Sequence, residues 1–301
     1  MKVLVTGGSG FVGQNLQKVR PDWIYPTSGE LNLYDMEAVR LAMIDYAPDA
    51  IVHLAARVGG IAANTKHPAV FLQNNVRMNA NIFAAAQEYG IHRVLSSIST
   101  CAWPDKVDQY PFDETDLHDG PPAETNFGYG YAKRLQHVTS AMYSRQWPWI
   151  YNSTFAPCNI YGPHDNFDEE TSHFIPALIR RLSEAQDGDV IELWGTGAPL
   201  RQQMYAPDLA EIIPMLLEKH MDTEETIIVA PNNNASIKEI AQIAYKVCEK
   251  DVIIEFNGDK ALNGQHRKDG DNGKLIKLIG DFEFTGLEEG LRKTYEWYQG
   301  Q

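Results

Sequence analysis

With 301 residues, the chain is long enough for one large domain or two modest ones, each with a full core. A hydrophobic content of 44% beside 22% charge is that of an ordinary soluble globular protein. The formal charge of −14 excludes nucleic acid and anionic membrane as partners, because both require a basic surface. A phosphate-bearing ligand is still admitted, since arginines and helix N-termini make positive pockets on acidic proteins.

In the N-terminal half, short apolar strands are predicted at 2–6, 23–26, 50–54, 93–98 and 150–155. Helices are predicted between them, at 11–19, 35–46, 69–89 and 129–146. Such alternation implies an α/β fold with a doubly wound parallel sheet covered on both faces. Ligands then sit beyond the carboxyl ends of the strands, where Gly7, Ala55, Ser99 and Pro157 fall. The pattern changes after Phe155. Segments 157–171 and 194–199 read as loops, with a helix at 174–185 between them. Segments 202–205, 207–219 and 226–230 read as a return to the sheet, and helices follow at 236–249 and 287–298. The expected division is a dinucleotide-binding part, 1–156 with 202–230, and a smaller α/β lobe, 157–201 with 231–301. Segment 263–273, dense in Gly, Asp and basic residues, reads as the least ordered. Cys101, Cys158 and Cys248 are widely spaced, show no metal-ligand pattern and read as free thiols. No metal is expected. With no leader segment before the first strand and no apolar run of membrane length, the expected location is cytoplasmic.

Gly7-x-x-Gly10-x-x-Gly13 follows a strand and opens a helix. Glycines there permit a tight turn and close approach of backbone to a pyrophosphate at a helix N-terminus. The choice of dinucleotide depends on the end of the second strand. An acidic residue there favours NAD, and an arginine favours the 2′-phosphate of NADP. Pro26-Thr27-Ser28-Gly29 supplies neither, and the two hydroxyls tilt the expectation to NADPH without excluding NADH.

Of the 14 tyrosines, only Tyr129 has a lysine four residues on, Lys133. Residues one helical turn apart share a face, so the ammonium is expected to lower the phenol pKa from about 10 toward neutrality. Such a phenol protonates a carbonyl oxygen as a hydride arrives. Ser99, thirty residues upstream, is placed to hold that oxygen. Together these residues describe a nicotinamide enzyme of the short-chain dehydrogenase type. Cys101 is either a small buried hydrophobe or a reactive thiol. His173 either caps a helix or takes part in chemistry. Arg180, Arg181 and Arg201, with Trp194, form either a solvated basic face or a diphosphate clamp with a stacking ring.

The strings Arg57-Val58-Gly59-Gly60-Ile61-Ala62-Ala63-Asn64, Asn159-Ile160-Tyr161-Gly162-Pro163-His164-Asp165-Asn166-Phe167 and Trp194-Gly195-Thr196-Gly197-x-Pro199-x-Arg201 resemble the GDP-L-fucose synthase family of extended short-chain dehydrogenases. The segment from Ser172 through Arg181 agrees as well, and the similarity runs nearly end to end. The resemblance implies a 3,5-epimerase/4-reductase acting on a GDP-4-keto-6-deoxy sugar. It implies Tyr129 as reductive acid, Lys133 as its tuner and ribose ligand, Ser99 as the group orienting the ketone, and Cys101 and His173 as the epimerisation base and acid. Cofactor contacts are implied at Gly7, Gly8, Ser9, Gly10, Phe11, Val12 and Gly13, at Ser28, Asn32, Leu33, Ala55, Ala56 and Ser97, and at Lys133, Pro157, Asn159, Ile160 and His173. The GDP-sugar would meet Asn159, Arg181, Trp194, Arg201 and Lys268.

The chain departs from the family pattern in lacking basic residues at 26–28, in its Gln202-Gln203-Met204 run after Arg201, and in having Asn263 where an acid is common. These departures leave a related dideoxy or heptose sugar open. The nearest rivals are a nucleotide-sugar 4,6-dehydratase or 4-epimerase. Those dehydratases usually carry an Asp-Glu pair beside the serine, where Thr100-Cys101 stand here. A non-catalytic nucleotide-binding regulator would commonly lose the Tyr/Lys pair, which this chain keeps. A homodimer through a four-helix interface is expected, from apolar positions Ile82, Ala85, Ala86, Val138 and Met142 on the two long helices.

Overall fold

The computed structural model describes residues 1–260 and 263–301. Strand β1 (Val3–Thr6) is buried along its length, and Gly7, at φ +75°, turns the chain toward α1 (Phe11–Val19). Helix α2 (Met36–Tyr46) starts where the Asp35 carboxylate accepts the Glu37 N–H, and β2 (Ala50–His53) follows. Next come α3 (Ile61–Lys66) and α4 (Pro68–Glu88), the latter with proline in its first turn, where its missing N–H costs nothing. Strand β3 (Arg93–Ser97), a long irregular segment, α5 (Phe127–Gln146) and β4 (Tyr151–Pro157) complete this half.

The chain continues through β5 (Asn159–Tyr161), α6 (Phe174–Glu184), β6 (Val190–Leu193), β7 (Leu200–Arg201) and β8 (Gln203–Tyr205). Helix α7 (Ala206–Lys219) leads to β9 (Ile227–Val229) and β10 (Ala235–Ser236), and α8 (Ile237–Cys248) opens on a capping box between Ser236 and Glu239. Strands β11 (Ile253–Phe256) and β12 (Arg267–Lys268), then α9 (Gly273–Ile279) and α10 (Leu287–Gln299), finish it.

The main sheet is five parallel strands in the order β1-β2-β3-β4-β9, with Ile24 bridged to Leu4 on the far side of β1. The chain thus steps outward from β1 to Ile24 and then back across to β2. That reversal is the switch point at which doubly wound folds open a ligand crevice. Alternate residues of each strand feed opposite faces. Val3, Val5, Val52, Leu95 and Phe155 pack with α7 residues such as Ile213 and Leu216. Leu4, Ile51 and Val94 pack with Val39 and Met43 of α2 and with Ile82 and Phe83 of α4. A separate apolar cluster joins α6, α8, α10 and the parallel pair β6–β11 through Ile179, Leu182, Ile191, Ile240 and Leu291.

Four expectations are corrected. The strand predicted at 23–26 is a single bridge: Ile24 alone exchanges hydrogen bonds with Val3 and Val5, while the Trp23 N–H turns back to Arg20 and Pro26 has no N–H to give. Segment 202–205 does not rejoin the main sheet. Its β8 pairs in parallel with β5, which itself lies inside the span read as a loop. Segment 263–273 is built into the fold, because β12 pairs with β7 and Phe112 exchanges backbone hydrogen bonds with Asp269 and Asp271 on either side of Gly270. Ile82, Ala85 and Ala86 are fully buried and cannot form an interface, since their face of α4 lies on the sheet. The exposed apolar stripe lies on α5 instead, as Phe127, Tyr131, Leu135, Val138 and Met142, with Val70 and Leu72 on α4.

The first turn of α5 presses on the segment after β3. A Cβ on Gly130 would lie 2.6 Å from the Cys101 carbonyl oxygen and 2.7 Å from Pro122 Cβ. Overpacking of this kind costs about 1–3 kcal/mol. Gly130→Ala is therefore expected to lower stability by that amount in a denaturant titration; an unchanged midpoint would contradict the close approach.

Candidate active site

The site lies along the carboxyl edge of the sheet. At its β1 end the glycine turn is closed by contacts only glycine permits. A Cβ on Gly13 would meet the Gly7 and Gly8 carbonyl oxygens at 2.4 Å, and one on Gly7 would meet the Ala55 nitrogen at 2.8 Å. Helix α1 begins at Gly10 with no side-chain cap, leaving first-turn N–H groups for an anion. Gln14 and Gln17 bond the Ser9 and Gly8 carbonyls and hold the turn. This cradle fits a dinucleotide pyrophosphate. Phe11 and Val12 stand in the first turn of α1, and Ala55 and Ala56 follow β2 beside Gly7.

Toward the adenosine side, Ser28 and Asn32 are exposed, while Leu33 is core and offers backbone only. Thr27 is not free to bind a phosphate, because its N–H and hydroxyl both donate to the Glu30 carboxylate, at 2.8 and 2.9 Å. Ser28 is the hydroxyl left in that loop. Pro157 ends β4, and Asn159 and Ile160 sit half-buried in β5.

The catalytic candidates are brought together. Ser99 caps a 3-10 turn, Thr100–Ala102, by accepting the Cys101 N–H at 3.2 Å, and its hydroxyl is near enough to the Tyr129 phenol and the Cys101 thiol to draw the pKa of each downward. Lys133 lies 5.9 Å from the Tyr129 ring centre and donates to the Ser97 carbonyl at 2.7 Å and to Gln136 Oε1 at 3.1 Å. The expected lowering of the phenol pKa is not found. Burial raises it, the neighbouring Cys101 charge adds to that, and the Ser99 bond offsets only part. Burial also pushes Lys133 down to about 7, which removes much of the charge that was to stabilise a phenolate. At neutral pH Tyr129 keeps its proton, the form a donor needs.

Cys101 shows the opposite balance. Burial pushes its thiol up, but the Lys268 charge, a hydrogen bond from Lys268, and further bonds from Ser99 and Asn126 outweigh it, and the net is downward. Lys268 Nζ donates to Cys101 Sγ at 2.9 Å. A lowered pKa beside a cation is the environment in which a thiol can serve as a base. His173 starts α6 without capping it; burial and then the Lys268 charge hold its pKa below the usual value, so the imidazole is neutral at pH 7.

Among the remaining candidates, Arg201 is tied to the Leu200 and Asn263 carbonyls and lies within electrostatic reach of Cys101. Arg181 bonds the Glu192 carbonyl, and Trp194, 73% exposed, stands at the rim of the α6–β6 unit. Arg180 is engaged by Glu184 and Glu169, with most of its side chain buried. Two features escaped sequence reasoning. One is the pairing of Lys268 with Cys101 across a separation of 167 residues, for which no local pattern exists. The other is Asn126, a polar residue three positions before Tyr129 with no motif of its own.

This geometry can be set beside known proteins. A model of the NAD dependent epimerase/dehydratase family matches residues 3–230. The chain belongs to that family. Within it, the chain is 36% identical to a probable GDP-L-fucose synthase of Drosophila melanogaster, over 99% of this chain and 97% of that one. It is 35% identical to the GDP-L-fucose synthase of Dictyostelium discoideum, over 98% and 94%. The crystal structure of a GDP-L-fucose synthetase from Naegleria fowleri bound to NADP superposes with a TM-score of 0.91, at 30% identity, covering 99% of this chain and 92% of that chain.

The three thiols should separate by reactivity. Burial pushes Cys158 and Cys248 up to about 12, so at pH 7 iodoacetamide is expected to label Cys101 alone. In Lys268→Met the pH midpoint of that labelling should rise by about 1–3 units, the usual effect of losing a neighbouring opposite charge. An unmoved midpoint in peptide-resolved mass spectrometry would remove Lys268 from the account.

Proposed function

We propose that the protein is a bifunctional 3,5-epimerase/4-reductase that converts GDP-4-keto-6-deoxy-D-mannose to GDP-L-fucose with NADPH. The observation that carries this reading is a second acid–base centre built onto the reductase centre. Ser99 acts on the titration of both Tyr129 and Cys101, and Lys268 donates to the thiol sulfur and turns it into a base. An enzyme that only passes a hydride out and back has no need of a thiolate there.

The 4-keto group acidifies the hydrogens on carbons 3 and 5. Cys101, as thiolate, removes one as a proton, leaving an enolate whose oxygen is held by Ser99 and Tyr129. His173, charged to imidazolium by a proton from solvent, returns that proton to the opposite face and goes back to the neutral form its lowered pKa favours, which inverts the centre. NADPH, when bound, supplies the hydride to carbon 4. Tyr129 gives its proton to the oxygen as the alkoxide forms, a transfer that stays favourable with a raised phenol pKa because an alkoxide is more basic still. Lys133, anchored on the Ser97 carbonyl beside the Tyr129 ring, would hold the nicotinamide ribose. Arg181, Trp194, Arg201 and Asn159 receive the GDP-sugar. The part formed by 1–156 and 202–230 holds the dinucleotide, and the lobe of 157–201 and 231–301 holds the GDP. With one hydroxyl, Ser28, and no guanidinium at the 2′ position, NADH is usable as well.

The α5 stripe supports a homodimer in which two copies of α4 and α5 make a four-helix interface; its residues are spaced 4, 4, 3 and 4 apart, the repeat of a packed helix seam. Among the described residues, no helix is long and apolar enough to cross a membrane, and three free thiols favour a reducing, cytoplasmic compartment. Light scattering at micromolar concentration is expected to give twice the chain mass, and Leu135→Glu with Met142→Glu to give monomers. A wild-type monomer would refute the dimer.

Two variants separate the activities. Tyr129→Phe should lose about 10²–10⁴-fold in NADPH oxidation while still binding the cofactor. Cys101→Ser should still oxidise NADPH but deliver a product with the mannose configuration at carbons 3 and 5. Epimerised product from Cys101→Ser, or more than about a tenth of wild-type rate from Tyr129→Phe, contradicts these assignments.

A further inference from the structure

Asn126 is the N-cap of α5, a position where asparagine ordinarily accepts an N–H of the first turn. Here its side chain makes no capping bond. It stands instead beside the Cys101 sulfur and helps draw the thiol pKa down. An amide that stabilises a thiolate does so through its NH₂, and its Oδ1 is then left over. That oxygen is buried and has no hydrogen-bond partner in the protein. A side chain that gives up its cap and keeps a buried acceptor unpaired breaks two local rules at once, and such breaches concentrate where a ligand completes the bonding. The place is telling. Asn126 stands three residues before Tyr129 and beside Cys101, between the proton donor of one reaction and the base of the other. Gly130, one turn on, lets α5 approach the Cys101 backbone closely enough for the contact.

We propose that Asn126 is a substrate-positioning residue of the epimerisation step, donating to the Cys101 sulfur through its amide and accepting the sugar's 3-hydroxyl on Oδ1. This rests on the function proposed above. The ring of a 4-keto-6-deoxyhexose offers only its 2- and 3-hydroxyls as donors, and the 3-hydroxyl is carried by a carbon the thiolate must reach. One amide thereby fixes both the base and the carbon it attacks, while the 4-keto oxygen belongs to Ser99 and Tyr129.

The test uses Asn126→Asp, which keeps an acceptor and loses the donor, and Asn126→Ser, which restores an ordinary helix cap and so protects folding. The donor half is read without substrate, from the pH midpoint of iodoacetamide labelling at Cys101. Both variants should raise it by about one unit, the worth of a hydrogen bond to a charged group. The acceptor half is read with GDP-4-keto-6-deoxymannose and NADPH. Asn126→Ser should raise KM about tenfold and release a larger share of unepimerised product, whereas Asn126→Asp should hold KM near wild type and lose epimerisation alone. Midpoints equal to wild type in both variants overturn the donor role. An unchanged KM and product ratio in Asn126→Ser overturn the acceptor role. Wild-type protein inert toward this substrate would sink the proposed function instead, and the labelling result would still decide the amide's bond to Cys101.

Discussion

The contact between Lys268 and Cys101 is the constraint on which the site depends. It joins a two-residue strand near the end of the chain to a 3-10 turn at the carboxyl edge of the main sheet. Backbone ladders, not the ion pair, do the positioning. Strand β12 is fixed beside β7, and the Phe112 bonds to Asp269 and Asp271 hold the following residues against the segment that carries Cys101. Arg267 closes on Asp269 at 2.6 and 2.8 Å and so leaves Lys268 as the cation that faces the thiol. Charge in a buried site is costly unless paired, and Lys268 gives the Cys101 sulfur both a hydrogen bond and a favourable charge.

Burial acts on every titratable group of the cluster, and what differs is the company each keeps. Cys101 has a cation and several hydrogen-bond partners, and its pKa falls despite burial. Tyr129 has one helpful hydrogen bond and an unhelpful anion, and its pKa rises. Lys133 has carbonyl and amide oxygens but no carboxylate, and burial drives it down to about 7. The result is two groups whose protonation is pushed apart within one cluster beside Ser99. That is the arrangement needed when one substrate must lose a proton at carbon and gain another at oxygen.

Much of this was legible in the sequence wherever the information is local. The glycine turn and α1 follow from spacing and from the helix that must start there, and Tyr129 and Lys133 follow from one helical turn. The carboxyl ends of β1, β2 and β3 were foreseeable to within a residue, whereas β4, with polar residues inside it and an apolar end, runs two residues past its expected end. Pairings between short distant segments were not. Strands β5 and β8, or β7, β10 and β12, hold two or three residues each, too few for any periodicity, and only the tertiary fold selects their partners. Ile82, Ala85 and Ala86 misled for a related reason: an apolar helical position looks the same whether it faces a sheet or a second subunit. The phenol pKa misled because the pattern gives the neighbour of Tyr129 but not the depth at which both are buried.

The most direct test of the account is the isotope content of the product formed in heavy water. The protein would be incubated with GDP-4-keto-6-deoxymannose and NADPH in deuterium oxide, and the GDP-sugar examined by proton NMR. Proton exchange through Cys101 and His173 followed by reduction predicts GDP-L-fucose carrying deuterium at carbons 3 and 5 and protium, from NADPH, at carbon 4. A reduced product with protium at carbons 3 and 5 and the mannose configuration there would contradict it, and would leave Cys101 and Lys268 without the role assigned to them.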